Sequence, residues 1–151
     1  MSEEKKKGYL ETNIIEGDLK YPDEPARWTG QEIDKLFLWA DSLRASDITI
    51  QTEEQIMLEI NGNLYRVTHR RLDNTEVFDI IVCTYGSDSA KAILNGIKDL
   101  DWAHEIKPDR SKRVRFRMNA TPIFARGEKG VQITARTIPS MPPRLSDLNI
   151  E

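Results

Sequence analysis

Between Arg113 and Pro139 the chain reads RVRFRMNATPIFARGEKGVQITARTIP, which spaces arginines along two predicted strands joined by a glycine-containing loop. A guanidinium stays charged at physiological pH and presents planar, paired N–H donors that match phosphate oxygens. In Arg113-Val114-Arg115-Phe116-Arg117-Met118-Asn119 the residue types alternate strictly. A period of two then places Val114, Phe116 and Met118 on one face of a strand, and the arginines with Asn119 on the other. One face is suited to packing and the other to an anion, which suggests a phosphate-facing sheet. The plainer alternative is a half-buried antiparallel strand with a solvated outer face, its arginines paired with Glu105, Glu128 or another acid.

The remaining candidates carry less chemistry. His104-Glu105 begins like a zinc-protease motif, but no histidine follows four residues after His104 and the chain has a single cysteine, so no native metal site is expected. Gly127-Glu128-Lys129-Gly130 fits the GxxG loop of KH domains, yet it falls between predicted strands where that motif needs helices. It reads as a hairpin turn. The basic cluster Lys107, Arg110, Lys112, Arg113, Arg115 and Arg117 is interleaved with one aromatic, Phe116, which points to the opposite face. With a net charge of −3 as well, direct nucleic-acid binding is not expected. Nothing places Asp47 near Asp101, and both are assigned ordinary strand-end and turn roles. None of the 8 glycines is followed by lysine, so the phosphate-wrapping loop G-x-x-x-x-G-K-[ST] is missing and no catalytic residue is assigned.

The elements that must position the arginines form an α+β pattern. At 151 residues the chain suits one domain with tails. Residues 1–27, with charges of both signs and few apolar residues, read as a mobile arm or an extended segment docked on a neighbour. Thr29 and Glu32 have capping-box spacing ahead of Ile33, Leu36, Phe37, Ala40 and Leu43, which predicts a helix over Gly30–Arg44 with Trp39 at the edge of its apolar stripe. Strands follow at Asp47–Gln51, Gln55–Ile60 and Leu64–His69, with Asn61-Gly62 supplying a tight hairpin. A second helix opens at Asn74 or Thr75 and carries Val77, Phe78, Ile81, Val82 and Tyr85, with Cys83 expected to be buried in it. A third is expected from Ser87 to Asn95-Gly96. Strands over Ile97–Glu105, Lys112–Thr121 and Gly130–Ile138 complete a mostly antiparallel sheet with helices on one face. Three prolines within Pro139–Pro143 predict an extended, stiff connector over residues 139–151. No apolar stretch approaches the length of a membrane span, and the N-terminus lacks a signal-peptide core, so a cytoplasmic location is expected.

The order of short motifs adds a family. Ala45-Ser46-Asp47-Ile48-Thr49-Ile50, the hairpin Glu59-Ile60-Asn61-Gly62-Asn63-Leu64, Leu100-Asp101-Trp102-Ala103-His104-Glu105-Ile106, RFRMNA and ARTIP resemble, in sequence order, the N-terminal domain of the PilT/type II secretion ATPase superfamily. The wording SDITIQT, with Thr49 where many relatives have histidine, is most similar to the DotB/TraJ branch, the ATPases of type IVB secretion and conjugation. The resemblance covers about Trp28 to Glu151.

What that resemblance implies is specific. It implies a PAS-like domain over residues 28–138 and a linker at 139–151 leading to a C-terminal ATPase domain that lies outside this chain. The chain would then be an N-terminal domain that does not hydrolyse ATP alone, while its parent is a homo-hexamer using ATP and magnesium. Arg117 and Arg136 match the family arginines that reach nucleotide phosphates, and Arg115 shares the face of Arg117. Implied partners are the C-terminal ATPase domains of the same and adjacent subunits and inner-membrane components of a secretion system, at which the cytoplasmic ring would dock. The alternative is a stand-alone PAS-like domain that binds a protein or an anion.

Overall fold

The computed structural model describes residues 14–15, 17–87, 89, 98–125 and 127–139. At the start of helix α1, Gly30–Ser42, the Thr29 hydroxyl accepts a hydrogen bond from the Glu32 backbone N–H, and Ile33, Leu36, Phe37 and Ala40 are buried. The helix ends before Arg44 because that residue takes a left-handed φ of 61°, which a continuing helix does not allow. Strands β2 (Asp47–Gln51), β3 (Met57–Ile60) and β4 (Asn63–Arg66) form the expected meander, with β1 (Ile14–Ile15) preceding them in the chain. Asn61 and Gly62, at φ 52° and 83°, make the β3–β4 turn with the double positive φ of a tight hairpin.

Helix α2, Asn74–Tyr85, is capped by Asp73 and ends at Gly86 in a left-handed conformation. Its core-facing residues are Glu76, Val77, Ile80, Ile81 and Thr84. Cys83 falls off this stripe and is exposed, not buried as expected. The helix expected from Ser87 to Asn95-Gly96 lies largely outside the described residues, as does the connector beyond Pro139.

Strands β5 (Leu100–Ile106), β6 (Val114–Ala125) and β7 (Glu128–Ile138) complete the sheet. Its order is β1-β4-β3-β2-β7-β6-β5, antiparallel throughout except for the short parallel pair of β1 with Leu64 and Tyr65 of β4. The stretch between Thr121 and Gly130, expected to be a glycine-containing loop, is instead mostly ladder, paired down to Ala125 with Glu128. Pro122 is tolerated there because β5 pairs only as far as Ala120, so that edge of β6 is open where proline has no N–H to donate.

Both helices pack on one face. Phe37 of α1 meets Phe116 of β6 with ring centroids 4.8 Å apart, His104 of β5 lies 2.6 Å from Asp34 of α1, and the Trp102 indole N–H reaches Thr84 of α2 at 3.2 Å. The chain is thus the expected α+β arrangement. The folded unit begins before Trp28, since Tyr21 and Trp28 are buried and Tyr21 lies against Trp39. Backbone and charge hold this entry segment: the Tyr21 N–H donates to Val67, and the Glu24 carboxylate accepts from the N–H groups of His69 and Arg70.

Where β7 passes Thr52, a Cβ on Gly130 would sit 2.9 Å from the Thr52 Cβ. Thr52 cannot retreat, because its hydroxyl oxygen accepts from the Val131 N–H and is bonded to Asn74. Gly130→Val is therefore expected to lose about 1–3 kcal/mol by overpacking. A urea-unfolding midpoint equal to that of the wild type would contradict this contact.

Candidate functional site

Alternation along β6 holds as expected: Val114, Phe116, Met118 and Ala120 are buried beneath the helices, while Arg115 and Arg117 are exposed on the opposite, open face. Pairing then brings distant motifs together. Arg117 stands directly opposite Arg136 in the β6–β7 register, and Arg136 stands opposite Asp47 in β2. Across the open face one row reads Glu59, Asp47, Arg136, Arg117, Ala103. Directly opposed residues hold their Cβ atoms about 4.5–5.5 Å apart, and like charges so placed repel.

The two arginines differ in what balances them. Arg136 donates from Nε to Asp47 Oδ1 at 2.9 Å. That hydrogen bond and then the Asp47 charge, with a lesser contribution from Glu59, hold its guanidinium above its ordinary pKa against the opposing effect of burial. Arg117 has no hydrogen bond or ion pair with any described residue, and its β5 neighbour Ala103 is too short to cover it. Arg115 lies about 6.8 Å further along β6, opposite Glu105, whose carboxylate is instead 3.9 Å from Arg113.

The polar groups around the arginines satisfy one another. Asn119 donates to Asp101 at 3.0 Å, Thr121 donates to Asn119 at 3.0 Å, and Gln132 donates to Gln51 at 3.1 Å. Asp47 and Asp101 fall in different rows, separated by β6 and β7, and form no carboxylate pair. What remains is two arginines opposed in the β6–β7 register on the exposed face, Arg117 with no partner among the described residues. Two guanidinium forks so placed can chelate the oxygens of one oxyanion. His104 belongs to the other face, where it joins β5 to α1.

Asp47 is the member of this group that the sequence did not reveal. Ile48 and Ile50 already assign Asp47 to the polar face by parity, but its position beside Arg136 depends on strand pairing between motifs 89 residues apart.

Neither a protein-family model nor a curated protein sequence matches the chain. Solved structures do. The X-ray structure of the Legionella pneumophila ATPase DotB matches with a TM-score of 0.79 and 45% identity, over 92% of this chain and 36% of that one. The Yersinia pseudotuberculosis ATPase DotB matches at 0.75 and 24% identity over 89% of this chain and 37% of that one. The pilus retraction motor PilT with bound ADP matches at 0.52 and 21% identity over 78% and 32%, and these last two bear on the fold alone. This chain spans little more than a third of the DotB chains. In the region that it shares with the Legionella pneumophila protein, the chain belongs to the DotB-like ATPases.

Proposed function

We propose that this chain is the N-terminal domain of a hexameric DotB-like ATPase of type IVB secretion or conjugation, and that its open sheet face completes a nucleotide site. In that reading the catalytic domain of the same or an adjacent subunit holds ATP and magnesium. Arg117 and Arg136 then approach the phosphates from the sheet, with Arg115 beside them. Cleft closure around nucleotide would shift this domain against its neighbour, and the proline-rich connector would pass that movement to the rest of the ring, which docks on inner-membrane components from the cytoplasmic side.

The observation that carries the reading is the adjacency of Arg117 and Arg136 on an exposed face, with Arg117 lacking any counter-charge among the described residues. Holding two like charges side by side is unfavourable until an anion joins them. Steady-state ATP hydrolysis by the full-length ATPase tests it. Arg117→Ala and Arg136→Ala, each confirmed to assemble, are expected to lower turnover at least about tenfold. Unchanged turnover in assembled rings would reduce the arginines to a charged sheet face.

A further inference from the structure

We infer that Asp47 is the positioning residue of this arginine pair: it fixes Arg136 by the Nε edge so that the terminal Nη1/Nη2 fork stays free to bind a phosphate jointly with Arg117. The inference rests on the nucleotide-site reading above and names a residue which that reading does not contain.

Geometry supports it in three ways. Asp47 Oδ1 accepts from Arg136 Nε at 2.9 Å, and no hydrogen bond joins it to the terminal nitrogens. A guanidinium offers five donors, so this contact leaves four for a ligand. Second, the two partners differ in freedom: the Asp47 side chain is 16% exposed, whereas that of Arg136 is 71% exposed. The carboxylate is the fixed member, held in the middle of the sheet between β3 and β7 and bonded to Ser46 at 3.3 Å, and the arginine is the member being aimed. Third, Asp47, Arg136 and Arg117 lie in one cross-strand row, so the carboxylate pulls Arg136 from the side away from Arg117. That draws the Arg136 charge partly off its neighbour and leaves the space above the two arginines open.

Surface ion pairs of this exposure contribute little to stability. Orientation is what the contact supplies: without Asp47 the long Arg136 side chain samples several rotamers, and a misplacement of about 1 Å at a reacting group can cost up to about a hundredfold in rate.

Two measurements test this together. In the 151-residue chain, the Arg136 Nε–H resonance should be protected from solvent exchange in the wild type, lose that protection in Asp47→Ala, and largely keep it in Asp47→Asn, whose amide oxygen can still accept. An unprotected wild-type resonance would overturn the contact. In the full-length ATPase, Asp47→Ala should lower kcat about tenfold with little change in the KM for ATP, and Asp47→Asn should recover most of it. In an Arg136→Ala background, Asp47→Ala should have no further effect, because the residue acts through that arginine. A full additional loss there would show a general structural role and overturn the inference. If Arg136→Ala lowers turnover while Asp47→Ala does not, Asp47 is excluded and the nucleotide site stands. If Arg136→Ala itself is silent, the nucleotide-site reading falls, and this inference falls with it.

Discussion

Glu76→Ala is expected to cost the domain about 3–5 kcal/mol, a large share of what holds a fold of this size together. The carboxylate is almost wholly buried and gathers four donors: both terminal nitrogens of Arg70 at 2.8 Å, the Trp28 N–H at 2.9 Å and the Asp73 N–H at 3.2 Å. It thereby ties the start of α2 to the segment entering α1 and to the loop after β4. Arg70 is 38% exposed and regains water when its partner is lost, so its share is discounted. Most of the loss comes from the two stranded backbone N–H groups, at about 1–3 kcal/mol each. Burial alone would push the Glu76 pKa up. The Arg70 hydrogen bonds, the two backbone N–H groups and the Arg70 charge outweigh it, and the group is held below its ordinary value. A depressed carboxylate pKa stabilises the fold above the unfolded value of about 4.3, and that contribution is lost as pH falls through the lower folded value. Urea unfolding from pH 7 downwards should therefore show stability falling below about pH 4.3 in the wild type. Glu76→Gln should be less stable at neutral pH and flatter across that acid range. A wild-type slope in the glutamine variant would place the titrating group elsewhere.

The same residues show why some of the molecule was legible in sequence and some was not. Helix α1 was readable because its signals are local: Thr29 and Glu32 lie within one turn, and the apolar stripe from Ile33 follows at once. The two faces of β6 were readable because alternation is a property of a single strand. The hairpin between β6 and β7 was readable, but its strand extensions between Thr121 and Gly130 were missed because Pro122 and the glycines Gly127 and Gly130 carry loop chemistry. Only the early end of β5 leaves an edge on which that composition can remain a strand. Residues 1–27 read as a mobile arm or a docked extended segment because they offer little to bury, and in the described part, from Gly17, the anchors are Tyr21, a backbone bond to Val67 and the Glu24 carboxylate on two N–H groups. Such contacts leave no periodic trace. Arg117 and Arg136 were found separately, by motif. Their adjacency and the role of Asp47 follow from the order β2-β7-β6, which no local pattern encodes.

Phe116→Ala should destabilise the domain by about 3–5 kcal/mol, whereas Arg117→Ala, one residue further along the same strand, should change stability by no more than about 0.5 kcal/mol. Phe116 is fully buried and lies against Phe37 of α1, between His104 and Thr137 on the neighbouring strands, so truncation leaves a cavity beneath the helix that the sheet cannot close. Arg117 is exposed and unpaired among the described residues, and it faces the like-charged Arg136, so its removal breaks no contact and relieves a repulsion. The two substitutions therefore separate packing from chemistry within a single turn of the pleat. Urea midpoints measured side by side decide the matter. If Arg117→Ala unfolds as easily as Phe116→Ala, any loss of ATP turnover in that variant reflects a damaged fold. If it is as stable as the wild type, the same loss reports on the phosphate contact itself, because the backbone that carries the arginine is held from the other face.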